Sequence, residues 1–532
     1  MIRRMAWRND WHIFRKKDAR TGEMIFSLFP EENSYKIYDR DYWWGDEWDP
    51  LEHGREYDFS HPFFEQFKEL LYSVPIPSHS MNNVVNSHYC GNANFIKNCY
   101  FSRGVGYTED SAYLIWDQAS KNCLDSHMTN SCELSYGNVN TISCYKTFFS
   151  TDCESCQEMV LCRDCVGCSN CFGSAGLRNK SYCIFNQQYS REEYLKKVAE
   201  FNIGSYEKFQ KIASASYANW NKYPRKYMHG KQNVAVTGDY IYESKNAKDC
   251  YRVRETEDSR FVQNVLSGPV KDCYDYSNWG EGAELVYESL IVGEGSSNIK
   301  FCCQCYVNVR NLSYSVFCHS SSDLFGCVSL RKKQYCILNK QYTKEEYEEL
   351  VPKIIEHMKN TGDYGQFFPV ALSPFPYQVT QAHEFFPLTE NQAKEKGFLW
   401  YDIPKQNYNI TLRPEDIADD IREIDENIMN EVIGCSHGGN CEHACTSAFR
   451  IIKTELDFLK RMDLPLPRLC PNCRHSERLK FRTPPVLSSR TCDCDKENHG
   501  HAAKCLNDFV TAYPKEHEDK IYCESCYNKE VY

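Results

Sequence analysis

The residues best suited to chemistry in this sequence are its 30 cysteines, which fall into three blocks. Twelve lie in Cys90–Cys183, eight in Cys250–Cys336 and ten in Cys435–Cys526. A thiolate can bind a metal or an iron–sulfur cluster, whereas a buried thiol packs as a small apolar group. The spacing inside each block therefore decides which chemistry we expect there.

The third block has the spacing of a tetrahedral zinc site. Cys441 and Cys445 are followed, after a 24-residue spacer, by the knuckle Cys470-x2-Cys473. Two such pairs supply four thiolates to one Zn²⁺. The predicted ligands are Cys441, Cys445, Cys470 and Cys473, with Cys435, His437 or His443 as alternatives.

A second zinc site is predicted closer to the end of the sequence. Cys523-x2-Cys526 forms one knuckle, and Cys505 with either Cys492 or Cys494 forms the other. Four thiolates favour zinc over harder cations, and a surplus of cysteines leaves no open catalytic position. We expect about two structural Zn²⁺ in the tail. The chosen ligands of this second site are Cys492, Cys505, Cys523 and Cys526, with Cys494 as the alternate.

The first block contains a denser run that invites an iron–sulfur interpretation. Its C-x2-C-x2-C-x2-C pattern consists of Cys162, Cys165, Cys168 and Cys171. The bacterial ferredoxin run has three residues before its fourth cysteine and then proline, which this run lacks. The duplicate described next replaces these positions by Ser315, Cys318, Ser321 and Leu324. A packing ladder is therefore favoured, with a cluster or zinc site as the alternative.

The first two blocks are internal duplicates. LRNKSYCIFNQQYSREEY at 177–194 matches LRKKQYCILNKQYTKEEY at 330–347 at 12 of 18 positions. Small residues recur at short intervals, which is typical of a coil that stacks on itself, here with about 20–24 residues per coil. Ser190 with Glu193 and Thr343 with Glu346 form capping boxes that start a helix after each duplicate. The predicted fold class is mainly β, with two duplicated parallel β-solenoid-like modules, each capped by a helix, and zinc-ribbon-like units at the termini.

The N-terminal segment echoes the second zinc site without its ligands. Residues 26–44 align without a gap to 510–528. In this alignment Asp39 corresponds to Cys523 and Tyr42 to Cys526. Asp18 stands where a first knuckle cysteine would be. This indicates a ribbon-like unit that has lost its metal; the alternative is coincidence in a tyrosine-rich sequence.

These features divide the chain into six predicted parts. They are a metal-free ribbon-like unit at 1–60, a linker helix at 61–84, a first module with capping helices at 85–230, a second module with its helix at 231–362, a linker with short helices at 363–430, and a tandem zinc-ribbon tail at 431–532.

Several segments together resemble a family of uncharacterised Cys-repeat proteins with zinc-ribbon-like tails from uncultured bacteria. The segments include YDRDYWWGDEWDP at 38–50, FFPVALSPFPY at 367–377, LPLPRLCPNCRH at 464–475 and IYCESCYNKEVY at 521–532. The resemblance spans essentially the full chain and implies zinc-ribbon-like ends, but no established activity. Asp18 and Thr21 depart from a knuckle that sometimes contains cysteine in that family, so no N-terminal metal is implied.

Composition narrows the classes of function. The formal net charge of −11 makes a basic surface over the whole molecule improbable, and no run of eighteen apolar residues suggests a membrane span. The first residues lack the apolar core of a secretory signal, which predicts a cytoplasmic protein.

The leading prediction is a zinc-binding scaffold or binding protein whose repeat surfaces contact a macromolecular partner. A basic segment in the tail suggests RNA or DNA as that partner, although a solvated surface or internal pairing with acidic residues explains the charge equally well. The candidate nucleic-acid contacts are Arg474, Arg478, Lys480, Arg482 and Arg490.

The rival class is an enzyme. A parallel β-helix can carry a carbohydrate-cleaving pair of carboxylates, and an iron–sulfur redox protein is a further alternative. No nucleophile elbow, P-loop, dinucleotide fingerprint or HExxH motif occurs, so a binding protein is favoured over an enzyme. Trp43, Trp44 and Trp48 form either a ligand platform or part of the core.

Overall fold

A computed structural model describes residues 1–402 and 407–531. Within the predicted parts, residues 403–406 of the linker and Tyr532 of the tail lie outside the described residues. The described chain is rich in strand, mostly in two coils, and its metal-binding candidates lie in the tail.

The first coil covers residues 81–188 and turns once every 12 residues. Parallel bridges join His88 to Tyr100 and Tyr100 to Ala112, and the same offset continues along the coil. The turn is therefore shorter than the expected 20–24 residues, and the 24-residue spacing from Cys99 to Cys123 is two turns. Its longer strands are β5 (Met81–Val85), β6 (Ala93–Lys97), β7 (Tyr145–Phe148), β8 (Gln157–Val160), β9 (Ser169–Phe172), β10 (Ser181–Ile184) and β11 (Gln187–Gln188).

Each turn of the first coil has a three-residue period. Residues such as Asn92, Phe95 and Asn98 have positive φ, so the chain bends at every third position. Two residues before each bend, a side chain such as Cys90 or Ala93 is buried in the interior. The interior is narrow, and it is filled mainly by cysteine, serine, threonine and small apolar side chains.

The second coil, residues 230–341, is wider and less regular. Its parallel pairs are 12 residues apart at Gly238 and Cys250, but 14 apart at Thr256 and Val270. Its strands, together with β12 just before it, are β12 (Arg225–Lys226), β13 (Gly230–Lys231), β14 (Gly238–Tyr242), β15 (Lys245–Lys248), β16 (Cys250–Arg254), β17 (Thr256–Arg260), β18 (Gln263–Val265), β19 (Val270–Lys271), β20 (Tyr274–Gly280), β21 (Ala283–Gly293), β22 (Ser297–Lys300), β23 (Cys303–Tyr306), β24 (Arg310–Ser313), β25 (Ser322–Phe325), β26 (Gln334–Ile337) and β27 (Lys340–Gln341).

Both coils end in the same way. A short antiparallel hairpin, β10 with β11 or β26 with β27, turns the chain back at the last edge. The predicted capping boxes are present at Ser190 and Thr343. Each hydroxyl accepts a hydrogen bond from the backbone N–H of the glutamate three residues later, and that glutamate's carboxylate accepts one from the backbone N–H of the capping residue. The helices that follow are α4 (Arg191–Phe201) and α5 (Tyr206–Trp220) after the first coil and α6 (Lys344–Thr361) after the second.

The N-terminal unit contacts both coils: Trp11 packs edge-on against Phe101 of the first coil, with 5.1 Å between ring centroids, and Phe63 packs on the second. Phe63 contacts the rings of Tyr314 and Phe325. The elements of this unit are α1 (Ile2–Met5), β1 (Phe14–Lys17), β2 (Met24–Ser27), β3 (Ile37–Tyr38), α2 (Arg40–Trp44), a 3-10 turn at Pro50–His53, α3 (Phe63–Ser73) and β4 (Ile76–Pro77).

The tail packs on the first coil. Arg163 of that coil lies 3.4 Å from Asp519, and Tyr527 donates a hydrogen bond to Asp164. The elements after α6 are 3-10 turns at Val370–Leu372, Tyr377–Val379, Pro414–Asp416, Ile421–Glu423, Glu426–Asn430 and Glu497–His499, helices α7 (Gln381–Phe385), α8 (Glu390–Glu395), α9 (Lys453–Met462), α10 (Pro471–Leu479) and α11 (Glu524–Val531), and strands β28 (Ile433–Gly434), β29 (Ala448–Phe449), β30 (Ser488–Thr491), β31 (Asp508–Thr511) and β32 (Ile521–Tyr522).

Candidate metal centres and a central cleft

Four cysteines of the tail form the first candidate metal centre. The sulfur atoms of Cys435, Cys445, Cys470 and Cys473 lie within 4.8 Å of one another. The Sγ atoms of Cys435 and Cys473 are 3.8 Å apart, as are those of Cys445 and Cys470. Zn–S bonds of about 2.3 Å in a tetrahedron give an S···S distance of about 3.8 Å.

This four-cysteine group differs from the predicted ligand set at one position. Cys435, named as an alternative, takes the place of Cys441, because β28 and β29 pair antiparallel and bring Cys435 beside Cys445. Cys470 caps the N-terminus of α10 and Cys473 lies in its first turn. Backbone amides also point at the sulfurs: that of Cys470 lies 3.3 Å from Cys435 Sγ. Such donors stabilise thiolates.

The second candidate centre brings together the four cysteines predicted for it. Cys492, Cys505, Cys523 and Cys526 are all buried, with their sulfurs within 4.8 Å of one another. The hairpin of β30 and β31 supplies the first two, and the start of α11 supplies the others. The backbone N–H of Cys523 donates to Cys492 Sγ at 3.2 Å, and the Asn507 amide donates to Cys523 Sγ at 3.5 Å.

The cysteines of the coils are arranged differently. Cys162, Cys165, Cys168 and Cys171 occupy consecutive interior positions of the three-residue period and are fully or almost fully buried. Across residues 1–402 and 407–531, groups of three or more clustered metal donors occur only in the tail. Burial raises the pKa of Cys99 and of Cys250 to about 12, which keeps these thiols protonated. This geometry favours the packing ladder over the iron–sulfur alternative.

The N-terminal hairpin has the same register as the hairpin of the second candidate centre. Hairpin register places Phe14 opposite Ser27 and Ser488 opposite Thr511, so Asp18 occupies the position of Cys492. The Asp18 carboxylate accepts hydrogen bonds of 2.7 to 3.0 Å from the backbone N–H groups of Arg20, Thr21 and Asp39. These hydrogen bonds join the turn between β1 and β2 to Asp39, which caps α2.

The candidate nucleic-acid residues do not form an exposed basic patch. Arg474 and Arg478 are buried and pair with Asp125 of the first coil at 3.1 and 2.6 Å. Burial opposes the charge of Arg474, but Asp125 and Glu455 outweigh it and raise the pKa above its usual value. The positive charges of Arg474 and Arg478 are therefore paired with acidic residues inside the protein, as the alternative to nucleic-acid binding predicts.

The other three candidates are also paired within the protein. Arg482 has a side chain only 4% exposed and lies 3.5 Å from Glu384. Arg490 pairs with Asp493 at 2.9 Å, and its side chain is 9% exposed. Lys480 is the exposed member and contacts Glu477 at 2.7 Å.

A cleft of about 810 Å³ lies between the two coils and under the N-terminal unit. Its walls come from segments far apart in the chain, so the sequence alone does not reveal it. Trp44, 40% exposed, contributes to its wall and tilts against His319 at 5.0 Å, whereas Trp43 is fully buried. The aromatic and charged residues of the lining are Arg8, Arg40, Asp41, Trp44, Tyr107, Trp116, Arg252, Trp279, Glu281, Glu294, Tyr306 and His319.

One cation in the cleft has no acidic partner. Arg252 is buried, lies 5.3 Å over the Trp116 ring and donates to Trp116 O at 3.4 Å. None of the ion pairs found within 4.0 Å in the described residues includes Arg252, and burial lowers its pKa to about 10. Nearby, both amide atoms of Asn264 are buried without a hydrogen-bond partner in the described chain. Such groups are costly to leave unsatisfied.

Two glutamates of the second coil lie on the same lining. Burial, and then the charge of Glu281, raise the pKa of Glu294. Glu281 accepts a hydrogen bond from Trp279 Nε1 at 3.2 Å. A carboxyl with a raised pKa is suited to donate a proton.

No family model and no curated protein match this chain. Among solved structures, one described as that of an acetyltransferase from Desulfovibrio desulfuricans G20 aligns with 6% identity and a TM-score of 0.11. The alignment covers 44% of this chain and 65% of the other, which is less than two thirds of that protein's length. A similarity of this size carries no argument about fold or function.

None of the helices in the described residues has the length and apolar character needed to cross a membrane.

Proposed function

We propose that this protein is a zinc-stabilised scaffold built from two duplicated β-solenoid modules, in which Zn²⁺ centres fasten the tail onto the first module. The observation that carries the proposal is the pair of four-cysteine groups with distances suited to tetrahedral zinc. Four thiolates favour a soft or borderline cation such as zinc over magnesium or calcium. The resemblance to proteins with zinc-ribbon-like tails agrees with this choice of metal.

The placement of the centres supports a structural role. Helix α10 begins at the first centre and carries Arg474 and Arg478 into contact with Asp125 of the first coil. Helix α11 begins beside the second centre and carries Tyr527 to Asp164. Each metal would fix the start of a helix whose other side chains cover the coil.

Metal removal tests this role with an internal control. Protein purified without added zinc should still contain zinc. A strong chelator should then increase amide hydrogen exchange in the tail and in the coil surface around Asp125 and Asp164. Exchange around Phe325 should stay unchanged, because the metal-free N-terminal unit covers that region. Purified protein without zinc, or unaltered exchange in the tail after chelation, would refute the proposal.

We further propose that the central cleft binds an acidic oligosaccharide, which keeps the carbohydrate-directed enzyme as the second candidate function. Trp44, Trp279 and Tyr306 offer aromatic faces for sugar rings, and the cleft is large enough for a short oligosaccharide. Arg252 supplies an unpaired charge for a carboxylate, and Asn264 offers both a donor and an acceptor. Glu281 and Glu294 supply the two carboxyl groups that glycoside cleavage needs.

Calorimetry with a uronic-acid oligomer tests the cleft. We expect binding that weakens at least tenfold in Arg252→Gln, while Arg310→Gln, a change at an exposed arginine of the second coil, leaves affinity unchanged. A neutral oligosaccharide of equal length should bind more weakly. Equal affinity for the neutral and acidic oligomers, or no effect of Arg252→Gln, would exclude the proposed carboxylate contact.

A further inference from the structure

Each candidate metal centre has additional donor atoms beside its four cysteines. At the first centre, His437, Cys441 and His443 lie with Cys473 in a second group whose ligand atoms are within 4.8 Å of one another. Cys473 belongs to both groups, since its Sγ is 3.8 Å from Cys435 Sγ and 3.6 Å from Cys441 Sγ. Two cysteines and two histidines form a complete tetrahedral ligand set.

The two histidines of this second group have unused nitrogen atoms. The Nδ1 atoms of His437 and His443 are buried and have no hydrogen-bond partner among the described residues. The two rings lie 5.3 Å apart between centroids. Buried imidazole nitrogens normally have a partner, and a shared cation would satisfy both.

The second centre has a similar additional group, with three donors instead of four. Cys494, His501 and Cys526 form a group within 4.8 Å, and Cys526 is also a member of the four-cysteine group. His501 Nε2 is 3.5 Å from Cys526 Sγ, close to the N···S edge of about 3.6 Å expected for tetrahedral zinc. His499 Nδ1, 3.1 Å from Cys494 Sγ, is a further donor beside them.

We infer that each centre holds two metal ions bridged by one thiolate, Cys473 in the first and Cys526 in the second. This inference rests on the proposed zinc-binding function and raises the metal content to four per chain. In both centres the bridge is the second cysteine of a C-x2-C knuckle, at the first turn of α10 or α11. The repetition in two unlike sequences argues against an accident of one loop.

Charge also favours the paired arrangement. A single Zn²⁺ held by four thiolates has a net charge of −2, which is costly to keep in a buried site. Each centre offers five cysteine sulfurs when both groups are counted. Two Zn²⁺ with five thiolates and neutral histidines have a net charge of −1 and leave no cysteine of the centre protonated.

Metal stoichiometry of the full chain decides between single and paired centres. Protein loaded with Zn²⁺ under reducing conditions and then desalted should contain four metals, and X-ray absorption should show a Zn–Zn distance of about 3.8 Å for a shared tetrahedral sulfur. The double change His437→Ala and His443→Ala should remove one metal, and His501→Ala should remove another. His61→Ala, a change at an exposed histidine, is the control.

Each count has a defined meaning. Four metals, falling to three in each histidine variant, support both pairs. Two metals, unchanged in the histidine variants, would overturn the inference while leaving the proposed zinc function in place. No metal would overturn both. A count of three would overturn the inference for the centre whose histidine variant keeps the wild-type metal content.

Discussion

At the scale of single residues, the basic side chains of the tail show what a charge count cannot predict. The sequence gives the number and spacing of the arginines, but not the acidic side chains that face them. Arg474 contacts Asp125 at 3.1 Å from a position more than three hundred residues away in sequence, and also pairs with Glu455. Only the packing of α10 against the first coil turns a basic segment into a buried ion-pair network.

The first prediction concerns this network. Arg474→Leu should lower the free energy of unfolding by about 3–5 kcal/mol, because Asp125 and Glu455 would remain buried with less compensation. Lys480→Ala should change it by less than about 1 kcal/mol, since that ion pair is exposed. Urea unfolding of both variants measures the difference. Equal stability of the two variants would contradict the buried-network assignment.

At the scale of elements, the sequence revealed the ends of the coils better than their turns. The capping boxes at Ser190 and Thr343 are local signals, so they predicted the starts of α4 and α6 correctly. The three-residue period was visible in the spacing of Cys162 to Cys171, but serine, threonine and leucine share the interior with cysteine. Counting cysteines alone therefore gave intervals of several turns and too long a coil.

The metal ligands illustrate the same limit. The knuckles Cys470-x2-Cys473 and Cys523-x2-Cys526 were predictable because both cysteines lie on one short segment. The choice between Cys435 and Cys441 depended on the pairing of β28 with β29, which spacing alone does not determine.

The second prediction belongs to the N-terminal hairpin. Asp18→Ala should lower the free energy of unfolding by about 2–4 kcal/mol, because three backbone amides lose a charged acceptor. Asp58→Ala, at an exposed carboxylate, serves as the matched control. Thermal or urea unfolding would compare them, and a chelator should not reproduce the effect of Asp18→Ala. If the two aspartate variants are equally stable, Asp18 does not replace a metal.

At the scale of the whole molecule, one histidine joins both coils and the tail. His229 lies 3.0 Å from Asp239 in the second coil and 3.9 Å from Asp152 in the first, and its ring stacks on Tyr240. Tyr513 of the tail lies 6.2 Å away, and Arg225 also contacts Asp152 at 3.7 Å. Burial disfavours the charged imidazole, but Asp239 and Asp152 outweigh it and raise the pKa of His229 to about 9.

The third prediction is the pH dependence that follows. Because the pKa of His229 is raised in the folded protein, the protonated imidazole stabilises the fold fully at pH values below the ordinary pKa of 6.5. This contribution is lost as the pH rises through about 9. We expect the free energy of unfolding to fall by about 1–3 kcal/mol across that interval. Urea unfolding at a series of pH values measures it. His229→Gln should remove this part of the slope, and an unchanged slope would show that His229 is not its source.

The crosswise packing of the two ends has a consequence for biosynthesis. Tyr527 and Asp164 are 363 positions apart in sequence, so the first coil leaves the ribosome long before the residues that cover it. The N-terminal unit is likewise synthesised before the second coil on which it packs. Until their later partners have been synthesised, the growing chain therefore keeps exposed the first-coil surface around Asp164 and the face of the N-terminal unit that packs on the second coil.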